Sequence, residues 1–210
     1  MATVALFGAS GRIGRPVLNR LLTAGHTARV PVRDPAKLGP SDDRVHVVVG
    51  DVLDRAAVDD TVSGSEVVLS LFGHTKGSSA TLQTDGTRLI VAAMKRHGVS
   101  RLVTLSGGGL RAEGDRPALP DPVIVALLRL LAGHVLADAE GHLGVLRSSG
   151  LEWTVVRGPR VTDKPGSGRY RVGSVGVNAS THISREDLAD FIVSQIDDRR
   201  YVGQLPFVSN

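Results

Sequence analysis

The sequence predicts an α/β fold, a doubly wound parallel sheet in a single domain spanning residues 1–210. Three observations carry this expectation. Short apolar runs alternate with segments of helical periodicity along the whole chain. The first run, Val4–Phe7, passes through Gly8, Gly11 and Gly14 into an amphipathic stretch. The chain has 210 residues, 41% of them hydrophobic, which is enough for one sizeable core and too apolar for a disordered chain.

Each element follows from a local pattern. Val4–Phe7 is apolar throughout, as a strand buried on both faces requires. Over 15–24, Val17, Leu18, Leu21 and Leu22 fall at helical spacing. Residues 28–32 and Val45–Val49 are the next two strands, the latter ending in Gly50 and Asp51. Pro31 conflicts with a central place for the second strand because proline removes a ladder donor, so a bulge or shifted boundary is expected. Residues 54–62 form a short helix capped by Asp54. Residues 67–71 are the fourth strand. In the helix Leu82–His97, Leu89, Ile90, Ala93 and Met94 share a face, and Gly98 stops it. Residues 102–105 are the fifth strand. A stretch with Pro117, Pro120 and Pro122 leads into a helix over 123–147, with a break expected near Gly133. Residues 153–156 are the sixth strand, and 166–177 are glycine-rich with weak alternation. A helix over 184–196 opens on a capping box of Ser184 and Asp187, and 205–208 form a last strand. Strands alternating with helices imply a parallel sheet covered on both faces.

Ligands of such sheets bind beyond the carboxyl ends of the strands. A strand, a glycine turn and a helix present backbone N–H groups and a positive helix end to a phosphate. The spacing here is G-x-x-G-x-x-G rather than G-x-G-x-x-G, and it marks Gly8, Ser10, Gly11, Arg12, Ile13 and Gly14 as the expected diphosphate cradle. Arg33 follows the second strand, where an arginine suits the 2′-phosphate of NADP and a carboxylate suits the ribose of NAD. Arg12 would add a second cationic contact, whereas Asp34 would supply a carboxylate if the register moved by one. The plain alternative is two exposed arginines. NADP(H) is therefore expected in preference to NAD(H), which the same site would also admit. Asp51 and Val52 follow the third strand, where Asp51 either meets an adenine amine or caps the next turn.

Leu71, Phe72 and Gly73 close the fourth strand, with Gly73 allowing backbone to approach a ribose. His74 comes next, a titratable loop group that is either a chemical participant or simply exposed. Ser106 and Gly107 close the fifth strand. Ser106 either bonds a substrate carbonyl beside the nicotinamide or caps the turn into the glycines. Arg157, Gly158 and Pro159 close the sixth, where Pro159 would fix the loop against the nicotinamide. Ser106 and His74 are the candidate catalytic residues. The substrate pocket is expected from loops within 73–80, 107–122 and 158–182.

Composition narrows the function classes. The chain has no cysteine, which excludes disulfides, thiolate metal sites and cysteine nucleophiles and fits a reducing cytoplasm. Its net charge is +4, yet the 25 Lys and Arg are scattered and aromatic residues make up only 3%, too few for base stacking. No nucleic-acid partner is expected. Residues 1–3 run directly into the first strand with no leader, and no apolar stretch reaches membrane-spanning length, so a cytoplasmic protein without a membrane partner is expected. A monomer or a homodimer is expected.

Several segments converge on a family. Gly8-Ala-Ser-Gly-Arg-Ile-Gly14, Val32-Arg-Asp-Pro-Ala-Lys-Leu38, Asp85-Gly-Thr-Arg88, Gly150-Leu-Glu-Trp-Thr-Val-Val-Arg157 and Ile183-Ser-Arg-Glu-Asp-Leu-Ala-Asp190 resemble atypical short-chain dehydrogenase/reductases. The resemblance is nearest to the NAD(P)H-binding, NmrA-like group that includes flavin and biliverdin-IXβ reductases. It spans nearly the whole chain, in the family's order. It implies a Rossmann-type sheet, cofactor contacts at the strand ends above, and hydride transfer from NADPH.

The chain departs from the superfamily at its acid–base pair. The resemblance implies a serine with Tyr-x-x-x-Lys on the helix after the fifth strand, the tyrosine and lysine falling near Val135 and Ala139. The segment 134–147 contains neither residue, and only Ser106 remains of the set. His134, Asp138 and His142 recur at i, i+4 on that helix. They read as a polar, solvated face ahead of a relay or a two-histidine metal site, and no metal site is expected. The reading that follows is an NADPH-dependent oxidoreductase acting on a small conjugated or aromatic acceptor of flavin, quinone or carbonyl type. The alternatives are a non-catalytic NADP-binding redox sensor and a redox-neutral biosynthetic enzyme on the same fold.

Overall fold

The computed structural model describes residues 1–40, 42–116 and 122–210, and side chains other than those of 122–132. The elements are β1 (Thr3–Phe7), α1 (Gly14–Thr23), β2 (Thr27–Val32), β3 (Val45–Val49), α2 (Arg55–Val62), β4 (Val67–Ser70), α3 (Leu82–His97), β5 (Arg101–Gly107), α4 (Pro122–Arg147), β6 (Glu152–Gly158), β7 (Arg160–Thr162), β8 (Arg171–Gly173), β9 (His182–Ser184), α5 (Arg185–Ser194) and β10 (Phe207–Ser209). Eight strands form one sheet in the order β3-β2-β1-β4-β5-β6-β10-β8. Its first six strands follow the Rossmann order, with the switch point between β1 and β4.

The sheet is parallel except at one edge, where β8 runs antiparallel to β10. Two short strands outside it, β7 and β9, pair with each other. Alternate residues of each central strand feed opposite cores, as a two-residue period demands. Val4 and Leu6 join Val17, Leu21, Leu188 and Ile192 beneath α1 and α5. Ala5 and Phe7 join Val58, Ile90, Met94 and Leu146 beneath α2, α3 and α4.

Local signals hold where expected. Asp54 caps α2 by accepting from Ala56 and Ala57. Gly98 closes α3 in the left-handed region (φ 70°). Pro31 needs neither a bulge nor a new boundary. Thr27 N–H donates to Ala2 O just before β1 and Ala28 N–H to Arg44 O just before β3, so odd positions of β2 face β1. The β1 ladder ends at Arg29, and Pro31 lies beyond it. The helix α4 runs unbroken through Gly133. Pro117 and Pro120 lie outside the described residues.

The capping box at Ser184 is half formed. The Ser184 hydroxyl accepts from Asp187 N–H at 3.0 Å, but the Asp187 carboxylate turns to Ser167 N–H (3.0 Å), Gly168 N–H (2.9 Å) and Asn210 Nδ2 (2.6 Å). Burial pushes this carboxyl up, and those donors outweigh it and hold it below its ordinary range.

His142 is buried between α3, α4 and β5. Its Nδ1 lies 2.7 Å from Thr87 Oγ1, and its Nε2 lies 3.5 Å from the Thr104 hydroxyl, which donates to Ser70 O. Burial pushes the imidazole down to about 4, against the pull of Asp138. Its folded value lies below the ordinary 6.5, so stability held above pH 6.5 is lost as the pH falls towards 4. The loss is on the order of 3 kcal/mol. Urea unfolding at pH 7 and pH 4.5 should show a smaller acid loss in His142→Gln than in the unmodified chain; equal losses would contradict the buried neutral imidazole.

Candidate functional site

The turn after β1 is set by two glycines that have no room for a side chain. Gly8 has φ +85°, and a Cβ there would lie 2.8 Å from Phe72 N, against the end of β4. A Cβ on Gly14 would lie 2.0 Å from Gly8 O and 2.8 Å from Ala9 Cα. Gly8 thus presses the turn onto β4, and Gly14 presses α1 onto the turn. Gly11 differs: it is exposed, and its one close neighbour is Gly8 O at 3.1 Å. The N-cap of α1, Ile13, gives no side-chain cap, and the helix has no acidic residue in its first turn. Such a start leaves N–H groups and a positive end for an anion.

A cavity of about 320 Å³ opens beside this turn. Gly8 and Ser10 border it from β1, Arg33 from β2, Asp51 and Val52 from β3, and Phe72 and Gly73 from β4. Arg33 is exposed, with Nε 3.6 Å from Asp51 Oδ2. Asp51 Oδ1 accepts from Leu53 N–H at 3.0 Å, so this residue caps its turn and also faces the cavity. Arg12 points away, to Asp163 at 3.4 Å. Leu71 is buried, and its N–H bonds Phe7 O at 2.9 Å. A glycine turn with no room for side chains, an uncapped helix and a cation-bearing cavity fit a dinucleotide.

The other half of the strand-end row is formed by β5 and β6. Ser106 is buried at the end of β5 and pairs with Arg157, and Gly107 pairs with Gly158. Gly108 N–H donates to Gly158 O at 3.1 Å and joins the two ends. Pro159 is half-buried between β6 and β7.

Two expectations need correction. Arg157 does not offer its side chain to a ligand. It is 1% exposed, its guanidinium meets the Asp115 carboxylate at 2.6 and 3.0 Å, and it donates to Leu110 O and Leu205 O. A buried cation keeps such partners because leaving it unpaired is costly. The helix face of His134, Asp138 and His142 is not solvated as a whole either. His134 is exposed, but Asp138 and His142 are buried.

Asp138 joins α4 to α3 and to the loop after β4. Its carboxylate accepts from Gln83 N–H (2.7 Å), Thr84 N–H (2.9 Å) and His74 Nε2 (2.8 Å). It thereby caps α3, whose own N-cap Thr81 does not cap the helix N–H groups and donates its hydroxyl to Asp85 Oδ2 at 2.6 Å. Burial pushes Asp138 up, and bonds from Thr84, Gln83 and His74 outweigh it and hold it below the ordinary carboxylate range. His74 Nδ1 lies 3.3 Å from Ser78 Oγ, so both ring nitrogens have protein partners. No local pattern announces these bonds, because Asp138 and His74 are 64 residues apart.

The sheet order, the switch point and the turn define a Rossmann-type dinucleotide-binding protein. The chain belongs to the NAD(P)H-binding family, whose model matches residues 8–199. It is 30% identical over 209 residues to a 3-diazoavenalumate denitrifying reductase of a Streptomyces species, covering 86% of this chain and 68% of that protein. It also matches an uncharacterised Mycobacterium tuberculosis protein, of which it spans 12% (31% identity over 105 residues). Among solved structures it resembles a Rossmann-fold NAD(P)-binding family protein from Shigella flexneri (TM-score 0.77, 23% identity, covering 100% of this chain and 94% of that one). A short-chain dehydrogenase/reductase from Veillonella parvula in complex with NADP is similar in fold (TM-score 0.78, 20% identity, covering 100% and 94%). Family and relatives bear out the expected NAD(P)H-dependent oxidoreductase.

The turn geometry separates two glycines that look alike in sequence. Gly14→Ala should lower Tm sharply, because its Cβ would meet backbone at 2.0 Å, whereas Gly11→Ala should shift it little. Thermal unfolding of both variants checks this, and equal shifts would contradict the described turn.

Proposed function

We propose that this chain is a cytoplasmic NADPH-dependent reductase of small conjugated acceptors, with Ser106 beside the reacting centre. The observation that carries this reading is the exposed turn at Gly11 and the uncapped α1 beside the Arg33 cavity. The backbone N–H groups of Ser10, Arg12, Ile13 and Gly14 hold the diphosphate, Gly11 N–H being bonded to Gly8 O at 2.9 Å, and Arg33 holds the 2′-phosphate. Val52, Leu71, Phe72 and Gly73 flank the nucleoside, and Asp51 meets the adenine. Ser106, Gly107, Gly158 and Pro159 border the nicotinamide, with only the backbone of Arg157 taking part. The bound cofactor supplies hydride to the acceptor.

The chain positions the two reactants, and Ser106 donates a hydrogen bond to the acceptor. The segment 134–147 holds no tyrosine or lysine, and the positions expected for them are Val135 and Ala139. His74 has both nitrogens engaged and acts as a positioning residue for its loop rather than as the acid. The proton then comes from solvent, which suits a flavin or quinone because the charge left by hydride is delocalised. The 30% identity to a reductase supports turnover over a binding-only sensor.

NADPH oxidation should be measured with flavin, quinone and simple ketone acceptors. Turnover is expected with the first two and not with ketones. Gly11→Asp should abolish both binding and turnover, because its carboxylate would face the diphosphate. Tight NADPH binding with no turnover across the panel would favour the sensor, and product formation without net NADPH oxidation would favour the redox-neutral enzyme. Arg33→Ala should weaken NADPH by about tenfold, or 1.4 kcal/mol, and NADH far less, as read by calorimetry.

A further inference from the structure

We propose that Lys76, on the loop after β4, is the second cation of the 2′-phosphate site and decides with Arg33 between NADPH and NADH. This inference rests on the nucleotide reading above and concerns the same cleft. Arg33 and Lys76 line one cavity of about 320 Å³, Arg33 from the end of β2 and Lys76 from the loop that follows β4. Other cations near the turn are drawn elsewhere. Arg12 faces Asp163 at 3.4 Å, Arg15 bonds Lys37 O at 2.8 Å, and Lys37 faces Asp34 at 4.0 Å.

Charge arithmetic gives Lys76 its importance. Arg33 lies 3.6 Å from the Asp51 carboxylate, which lines the same cavity, so together these two contribute no net charge. Asp51 repels a phosphate monoester carrying a charge of about −1.5 to −2. It does not repel a ribose with free hydroxyls. Lys76 brings the cavity to a net positive charge, and preference for the phosphorylated nucleotide depends on that excess.

The loop holds Lys76 in place without a ligand. Ser78 N–H donates to Thr75 O at 3.0 Å, closing a β-turn with Lys76 and Gly77 (φ +83°) at its centre. The Ser78 hydroxyl accepts from Thr75 N–H at 3.2 Å. One residue before the turn, His74 is tied to buried Asp138 at 2.8 Å. The ammonium therefore starts from a fixed backbone, which lowers the entropy lost on binding.

Calorimetric titration of the full chain with NADPH and NADH tests this, using Lys76→Met, Lys76→Arg and Asp51→Asn. Lys76→Met should weaken NADPH by about tenfold, or 1.4 kcal/mol, and NADH by less than about twofold. Lys76→Arg should retain the preference, and Asp51→Asn should raise the NADPH-to-NADH affinity ratio. Equal weakening of both nucleotides by Lys76→Met, or none, would overturn the role of Lys76 while leaving the nucleotide site intact. An unmodified chain that binds neither nucleotide would overturn the nucleotide reading and this inference with it.

Discussion

The contact between the start of α1 and the turn after β1 is the constraint on which the rest of the molecule depends. Only a hydrogen fits at Gly14, because Gly8 O occupies the place of a Cβ. That contact aims α1 at the switch point between β1 and β4, where the sheet opens to a ligand. It also seats Val17, Leu18 and Leu21 on Val4 and Leu6, so the same approach builds one of the two cores. Position and packing are one requirement here, which is why Gly8 and Gly14 cannot be exchanged for other small residues.

Around that centre the fold uses buried polar ties where a simpler domain would use apolar contacts. Asp138 caps α3 from α4 and holds the loop after β4 through His74. Asp115 ties the loop after β5 to β6 through Arg157 and receives Val175 N–H at 3.0 Å. Asp187 gathers the 166–168 loop and Asn210 onto α5. Each carboxylate is held below its ordinary range by donors that outweigh the cost of burial. Buried bonds of this kind fix one loop arrangement, because each unmade bond would leave a desolvated group without a partner. The loops that border the ligand face are thus anchored to helices and strands at chosen points, while their tips stay open.

The legible part of the fold is the part with local causes. The limits of α3, the cap of α2 and the strand β3 follow from sequence signals within a few residues. The pair β7 and β9 was not legible, since three-residue strands acquire their pairing only from residues about twenty positions away. Arg157 misled for the same reason. A charged residue at a strand end suggests a ligand contact, and its true partner lies 42 residues upstream. The stripe of His134, Asp138 and His142 has the period of a solvated face, but α3 presents Thr84 and Thr87 to it, and polar groups that meet polar groups can be buried. Composition at one helix cannot reveal what the neighbouring helix offers.

The segment to which the resemblance assigns an acid–base pair carries a carboxylate in this chain. The resemblance to the wider short-chain dehydrogenase/reductase superfamily implies a lysine near Ala139, where its charge would favour a tyrosinate and an anionic acceptor. This chain has the carboxylate of Asp138 one residue earlier, paired with two backbone N–H groups and His74. Those donors pair the carboxylate and hold it in place. On the proposed reading, an acceptor that becomes a localised alkoxide on hydride arrival would lack the lysine cation that the resemblance implies near Ala139. An acceptor that spreads the charge over its own rings does not need one. On the proposed reading, the missing pair is a selection for self-stabilising acceptors, and the catalytic contribution of the protein reduces to holding two reactants face to face.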